Sequence, residues 1–174
     1  MMNEHNEEEH VKEVYARFGL AVYFAQVLEH SLVNALVILD LIPSQRYLVR
    51  SRDDWKAKVD AFMDHNFQAT MGRLMKNLRE VTEIDAELEQ LLNDALSKRN
   101  WLIHHFFRER AKKFMSSDGR EQMLCEIDEC RELFYTADKR LETIVEPLRR
   151  KAGITDELLE RVYQRLLTES EHDG

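Results

Sequence analysis

The sequence predicts an all-α fold, a bundle of about five helices, and three observations predict it. Glycine and proline are scarce, five and two in 174 residues, whereas a sheet-rich fold needs many tight turns built from those two. Apolar residues recur at three- and four-residue spacing over long stretches, which is the period of one helix face. Capping signals separate those stretches. The length suits one domain with a helical extension. With 44% hydrophobic and 33% charged residues, the chain has the balance of a soluble globular protein rather than a disordered one.

The elements follow in order. Residues 1–9 are an acidic segment holding Glu4, Glu7, Glu8 and Glu9. A secretory leader starts basic and turns apolar, so none is expected here. From Val11 to Leu39 the series Val14, Phe18, Ala25, Leu28, Leu32 and Leu36 marks one long amphipathic helix. Pro43 is expected to end it, because the residue before a proline is pushed out of the helical region. The apolar stretch Leu32–Ile42 is interrupted by Asn34 and Asp40 and is expected to be too short to cross a bilayer. Ser51 and Asp54 have the spacing of a capping box for a helix through Trp55, Val59, Phe62 and Met63. Thr70–Val81 reads as another helix, with a break between His65 and Thr70.

A strong third helix is expected from about Asp85 to Phe114, with Leu88, Leu92, Ala95, Leu102 and Phe106 on its buried stripe. Ser116-Ser117-Asp118-Gly119 is a turn and N-cap signal. The next helix carries Met123, Ile127, Phe134, Leu141 and Val145. Pro147 is expected to kink or end it, and Gly153 to cap it. Thr155 opens a short last helix through Leu158 and Leu167, and Glu169–Gly174 is expected to fray. The bundle therefore takes residues 10–150, with the first long helix against the third as its centre. Residues 151–174 form a C-terminal helix and tail.

Charge and cysteine usage narrow the function classes. Twenty-five Lys and Arg against 33 Asp and Glu give a net charge of −8, a global field that disfavours indiscriminate binding to nucleic acid or membrane. Cys125 and Cys130 are spaced wrongly for a metal or redox pair. Positions five apart on a helix do not share a face, so both are expected to be reduced thiols in a cytoplasmic protein.

The most informative segment is Ser97-Lys98-Arg99-Asn100-Trp101-Leu102-Ile103-His104-His105-Phe106-Phe107-Arg108. Arg99 falls on the apolar stripe, where a guanidinium must find acceptors or line a cleft. His104 lies about 7.5 Å further along the axis and about 140° around it, and Asn100 falls between them. An imidazole can serve as acid or base near neutrality. A guanidinium stays charged and its fork fits phosphate oxygens, while an amide can orient either. These are the groups that cleavage of a phosphodiester within RNA requires, with no metal and no other cofactor. The alternative for Arg99 and His104 is a buried polar network tying the third helix to Glu29 or to a backbone carbonyl.

Arg99-Asn100-x-x-x-His104 within an all-helical bundle resembles the HEPN superfamily, whose motif is Arg, a polar residue, a short spacer and His. Phe18-Gly19-x5-Ala25-Gln26-x2-Glu29 is similar to bacterial members of the same group. The resemblance implies a metal-independent endoribonuclease of the toxin–antitoxin or defence type, working as a homodimer with two motifs facing one cleft. An antitoxin or other regulatory protein is then an expected partner, and RNA the substrate. It places the catalytic roles on Arg99, Asn100 and His104, with His105 as the alternative histidine and Glu29 as a polar supporter. The superfamily also contains inactive members, so a non-catalytic interaction module stands beside the enzyme reading.

Residues 98–113 carry Lys98, Arg99, Arg108, Arg110, Lys112 and Lys113 against Glu109 alone, and residues 80–94 carry six acids and no base. Lys98 and Arg108 are candidate phosphate contacts. The same trend also fits acids at a helix start and bases at its end complementing the dipole. His105 and Glu109 have helical metal-pair spacing, but adjacent His104 and His105 point about 100° apart, and no metal site is expected. Trp101, Phe106 and Phe107 read as core or dimer interface, with base stacking as the alternative.

Overall fold

The computed structural model describes residues 2–172, and every regular element among the described residues is helical. The first helix, α1 (Met2–Leu36), includes the acidic N-terminal residues from Met2 onward. It runs through a π-helical turn (Val37–Leu41) into α2 (Ile42–Gln45). Then follow α3 (Arg52–Phe67), α4 (Met71–Val81), α5 (Ala86–His104), α6 (Phe106–Phe114), α7 (Ser117–Lys151) and α8 (Asp156–His172).

Pro43 does not end the first helix, and the reason is the π-turn. Ile42, the residue before the proline, stays helical at φ −60° and ψ −52° and donates its N–H to Val37 O, five residues back. That wider register leaves room for a ring that cannot donate a hydrogen bond. The resulting helical run Glu7–Gln45 is, by length and composition, long and apolar enough to cross a membrane, unlike the interrupted stretch expected from the sequence. Its Leu28, Leu32, Val33 and Leu36 are fully buried in the bundle core.

The centre of the bundle is α1 against α7, not the first helix against the third. Both helices span 35 residues, and α7 offers an unbroken buried stripe of Met123, Ile127, Phe134, Ala137 and Leu141. Polar rungs flank this seam: Arg17 Nη1 reaches Asp128 Oδ2 at 2.5 Å, and the Ser31 hydroxyl donates to Asp138 Oδ1 at 2.5 Å. Helix α5 packs mainly on α7, and α4 packs mainly on α1.

The expected third helix is two helices. His105 leaves the helical region at φ −128° and ψ −25°. Beyond the break Phe106 and Phe107 open α6, and both pack on aromatic side chains of α1. Phe106 is 1% exposed and lies 5.9 Å from Phe18 and 5.2 Å from Trp101, centroid to centroid. Phe107 sits 4.9 Å from Phe18 and 5.7 Å from Tyr15.

The capping residues act as their chemistry predicts. Ser51, Thr70, Asp85 and Ser116 each accept a backbone N–H from three residues on. Asp54 closes its half of the box on Arg50 N–H rather than on Ser51. Pro147 does not end α7, which continues to Lys151. The end is a Schellman turn: Gly153 N–H donates to Arg150 O at 3.0 Å and Ile154 N–H to Arg149 O at 3.1 Å, with Gly153 at φ +84°. Gly153→Ala should cost about 1 kcal/mol, the penalty for a Cβ in the left-handed region. A urea midpoint shift at unchanged slope would measure it. Helix α8 extends to His172, past the Glu169 where fraying is expected; Asp173 and Gly174 lie outside the described residues.

Candidate functional site

Helix α5 carries the motif and is anchored at both ends. At its start the Asp85 carboxylate accepts the Leu88 N–H at 2.8 Å and pairs with Arg140 of α7. At its end the Trp101 indole N–H crosses the helix break to Glu109 Oε2 at 2.9 Å.

Arg99 faces α1. Its Nε lies 2.9 Å from Glu29 Oε1, with the two side chains 28% and 24% exposed. Its Nη1 donates to Asn100 Oδ1 at 3.2 Å. The structure thus brings Glu29, Arg99 and Asn100 together. The Arg99–Glu29 contact is a charge pair without hydrogen-bond geometry, and among the described residues neither Arg99 Nε nor Glu29 Oε1, both buried atoms, has a hydrogen-bond partner.

His104 is the last residue of α5 and is exposed. Among the described residues no hydrogen bond or ion pair joins it to Arg99 or Asn100. Its neighbour is the His105 ring, 6.3 Å away between centroids. His105 sits in the break and its Nδ1 lies 3.0 Å from Arg108 Nη2. The motif therefore divides into an Arg99–Glu29–Asn100 cluster against α1 and a His104–His105–Arg108 cluster at the α5–α6 junction.

Lys98 faces a third direction. Its Nζ lies 5.3 Å over the Trp101 ring, whose system also receives Arg110 at 5.1 Å. These residues and Glu126 line an open groove of about 650 Å³ between α5, α6 and α7. The positive balance of residues 98–113 is partly consumed there. Glu126 Oε2 takes Arg110 Nε at 2.6 Å and its Oε1 takes Lys113 Nζ at 2.8 Å. Lys98, Arg108 and Lys112 have no carboxylate partner among the described residues.

Partial burial pushes the Glu126 carboxyl up, but Lys113 and Arg110 outweigh it and hold it below its ordinary value. A depressed folded-state pKa contributes stability above the unfolded-state value, and that stability is lost as pH falls through the folded-state one. Glu126→Gln should therefore melt lower than the parent near neutrality. The gap should close as pH drops below about 4, in thermal melts across that range.

His105 and Glu109, which have helical metal-pair spacing, both have other neighbours in the structure. Glu109 accepts from Trp101 and lies 3.7 Å from Arg110, while His105 faces Arg108. No group of three metal-binding side chains occurs among the described residues. Both cysteines are free; Cys125 is exposed and Cys130 buried. Burial pushes the Cys130 thiol up against a lowering influence from Lys98, which is the reverse of what a nucleophile needs.

Glu126 is the participant that sequence reasoning missed. It lies 16 and 13 residues from Arg110 and Lys113, a separation that no local spacing rule joins. No protein-family model, curated protein or solved structure matches the chain.

Proposed function

We propose that this protein is a HEPN-like, metal-independent endoribonuclease that acts as a homodimer. The observation that carries the reading is the Arg99–Glu29 pair at 2.9 Å, on a guanidinium still 28% exposed, with an exposed histidine on the same helix. The Glu29 charge keeps the Arg99 guanidinium beside α1, Asn100 holds Nη1, and the free N–H groups take the scissile phosphate. His104 accepts the 2′-hydroxyl proton as that oxygen bonds to phosphorus. The P–O5′ bond breaks, and the departing oxygen takes a proton from the histidine that a second copy supplies across the cleft. The products are a 2′,3′-cyclic phosphate and a 5′-hydroxyl. Positioned acid–base groups of this kind contribute about 10²–10⁴-fold each. The test is a 5′-labelled single-stranded oligoribonucleotide incubated with the full chain in EDTA. The reading expects it to be cut and its 2′-deoxy counterpart to stay intact; an intact oligoribonucleotide, or equal cutting of both, contradicts it.

The second reading is a non-catalytic interaction module. It is favoured by one observation: Arg99 links α5 to α1 through Glu29 while His104 stands apart. In that case Arg99 is a structural tie and RNA is left untouched.

A further inference from the structure

We infer that the cleft between α1, α7 and the projecting helix α8 is a docking groove for an amphipathic, basic helix of a partner protein. The cleft measures about 360 Å³, room for the two or three side chains by which a helix anchors in a groove. Its floor is apolar: Ala35, Ile38, Leu141 and Val145. Its rim on α7 is a ridge of carboxylates, Asp138, Glu142 and Glu146, spaced four apart on one face.

Helix α8 extends the apolar surface beyond the cleft. It is fixed at its base by Arg149, which reaches Asp156 at 2.6 Å, and by Arg150 at 2.7 Å. Leu159 lines the cleft. Among the described residues no other helix packs extensively along α8. Leu158, Leu159, Val162 and Tyr163 are 36%, 45%, 48% and 56% exposed, large apolar side chains left open on the arm.

The charge of the rim selects the occupant. Glu142 pairs with Lys139 three residues away, and Glu146 with Arg150 four away. Exposed pairs within one helix are weak, so a partner's lysines and arginines can replace them without loss. Asp156 at the cleft is already paired with Arg149 and Arg150, so the carboxylates open to a partner are those of the α7 rim. An acidic ridge over an apolar floor fits Lys or Arg beside an apolar stripe and rejects an acidic helix. The groove shares no residue with the Arg99 cluster, so this inference and the ribonuclease reading can each fail alone.

The test uses the full chain and a fluorescein-labelled amphipathic peptide of leucine and lysine, about 18 residues long, or five helical turns. Fluorescence anisotropy should show saturable binding. Glu142→Lys with Glu146→Lys should weaken it at least about tenfold, and so should Leu159→Ser with Val162→Ser, which alters no charge. Both pairs are solvent-facing or at the arm, and unchanged thermal melts confirm that they fold. A serine–lysine peptide of equal charge should bind at least about tenfold more weakly, because it cannot fill the floor. No binding of the leucine–lysine peptide, or binding that ignores either variant pair, overturns the inference. So does a molar mass by light scattering that Leu159→Ser with Val162→Ser halves, since a second copy of the chain would then own the face.

Discussion

His104→Ala is expected to lower RNA cleavage by about 10²–10⁴-fold and to leave the melting temperature where it is. The imidazole is exposed at the end of α5 and holds no hydrogen bond or ion pair among the described residues. Truncating such a side chain falls within about 0.5 kcal/mol of neutral. Arg99→Ala should abolish cleavage as completely, but it is the less clean variant. It strips the partner from Glu29, whose carboxylate is 24% exposed. Leaving it unpaired costs about 1–3 kcal/mol, or roughly 2–12 °C of melting temperature at 2–4 °C per kcal/mol for a chain of this size. The two readings of the motif part at this point. An enzyme loses activity in both variants and stability only in Arg99→Ala. A structural tie loses stability in Arg99→Ala and shows no cleavage at any stage.

Gly119→Ala is expected to be the most destabilising small substitution in the protein. Gly119 is buried in the first turn of α7, where it donates its N–H to the Ser116 hydroxyl at 3.2 Å. A Cβ there would fall on the Lys113 backbone, against its carbonyl oxygen, carbonyl carbon and Cα. Main chain cannot swing aside as the tip of a flexible side chain can, so α6 and α7 must separate. Overpacking of this kind costs about 3 kcal/mol, or roughly 6–12 °C of melting temperature. The damage should extend to Arg120, 4% exposed, whose Nη1 donates to Phe114 O at 2.9 Å. By contrast, Gly19 and Gly72 should tolerate alanine, since a Cβ at Gly19 meets nothing within 4 Å and one at Gly72 only a leucine methyl at 3.5 Å. A denaturation series over the three variants measures the contrast.

Local signals in the sequence were reliable where a single turn of chain decides the structure. Ser51, Ser116, Thr155 and Gly153 cap or end helices because short-range hydrogen bonding and the sign of φ determine those positions. The helical character of the chain followed from apolar periodicity for the same reason. What was not legible depends on partners far away in the chain. The pairing of α1 with α7 rather than with α5 reflects matched lengths of two buried stripes, which no window of sequence displays. The break at His105 precedes Phe106 and Phe107, which pack on α1 aromatics, contacts across the bundle that the local sequence does not display. Passage of the helix through Pro43 depends on a π-turn that the preceding residues do not announce.

The candidate site divides along the same line. Glu29 stood out in the sequence as a polar group beside Ala25, Leu32 and Leu36 on the core-facing part of its helix, and it does meet Arg99. A charged residue there needs a charged partner, so that contact was legible. Lys98 and Arg108 share a charge run with Arg99, yet one faces Trp101 and the other His105. A run of like charge on a helix points around the whole circumference, and the break at His105 turns the second half again. Glu126, which neutralises two of those cations, belongs to the next helix and carried no local mark.

Identification of the RNA ends left by the full chain in EDTA, with His104→Ala alongside, addresses the central claim most directly. Fragments bearing 2′,3′-cyclic phosphate and 5′-hydroxyl termini, formed by the parent and lost in the variant, are the expected result. Termini of another chemistry, or the same fragments at the same rate from the variant, would contradict the account and leave Arg99 as a strut between two helices.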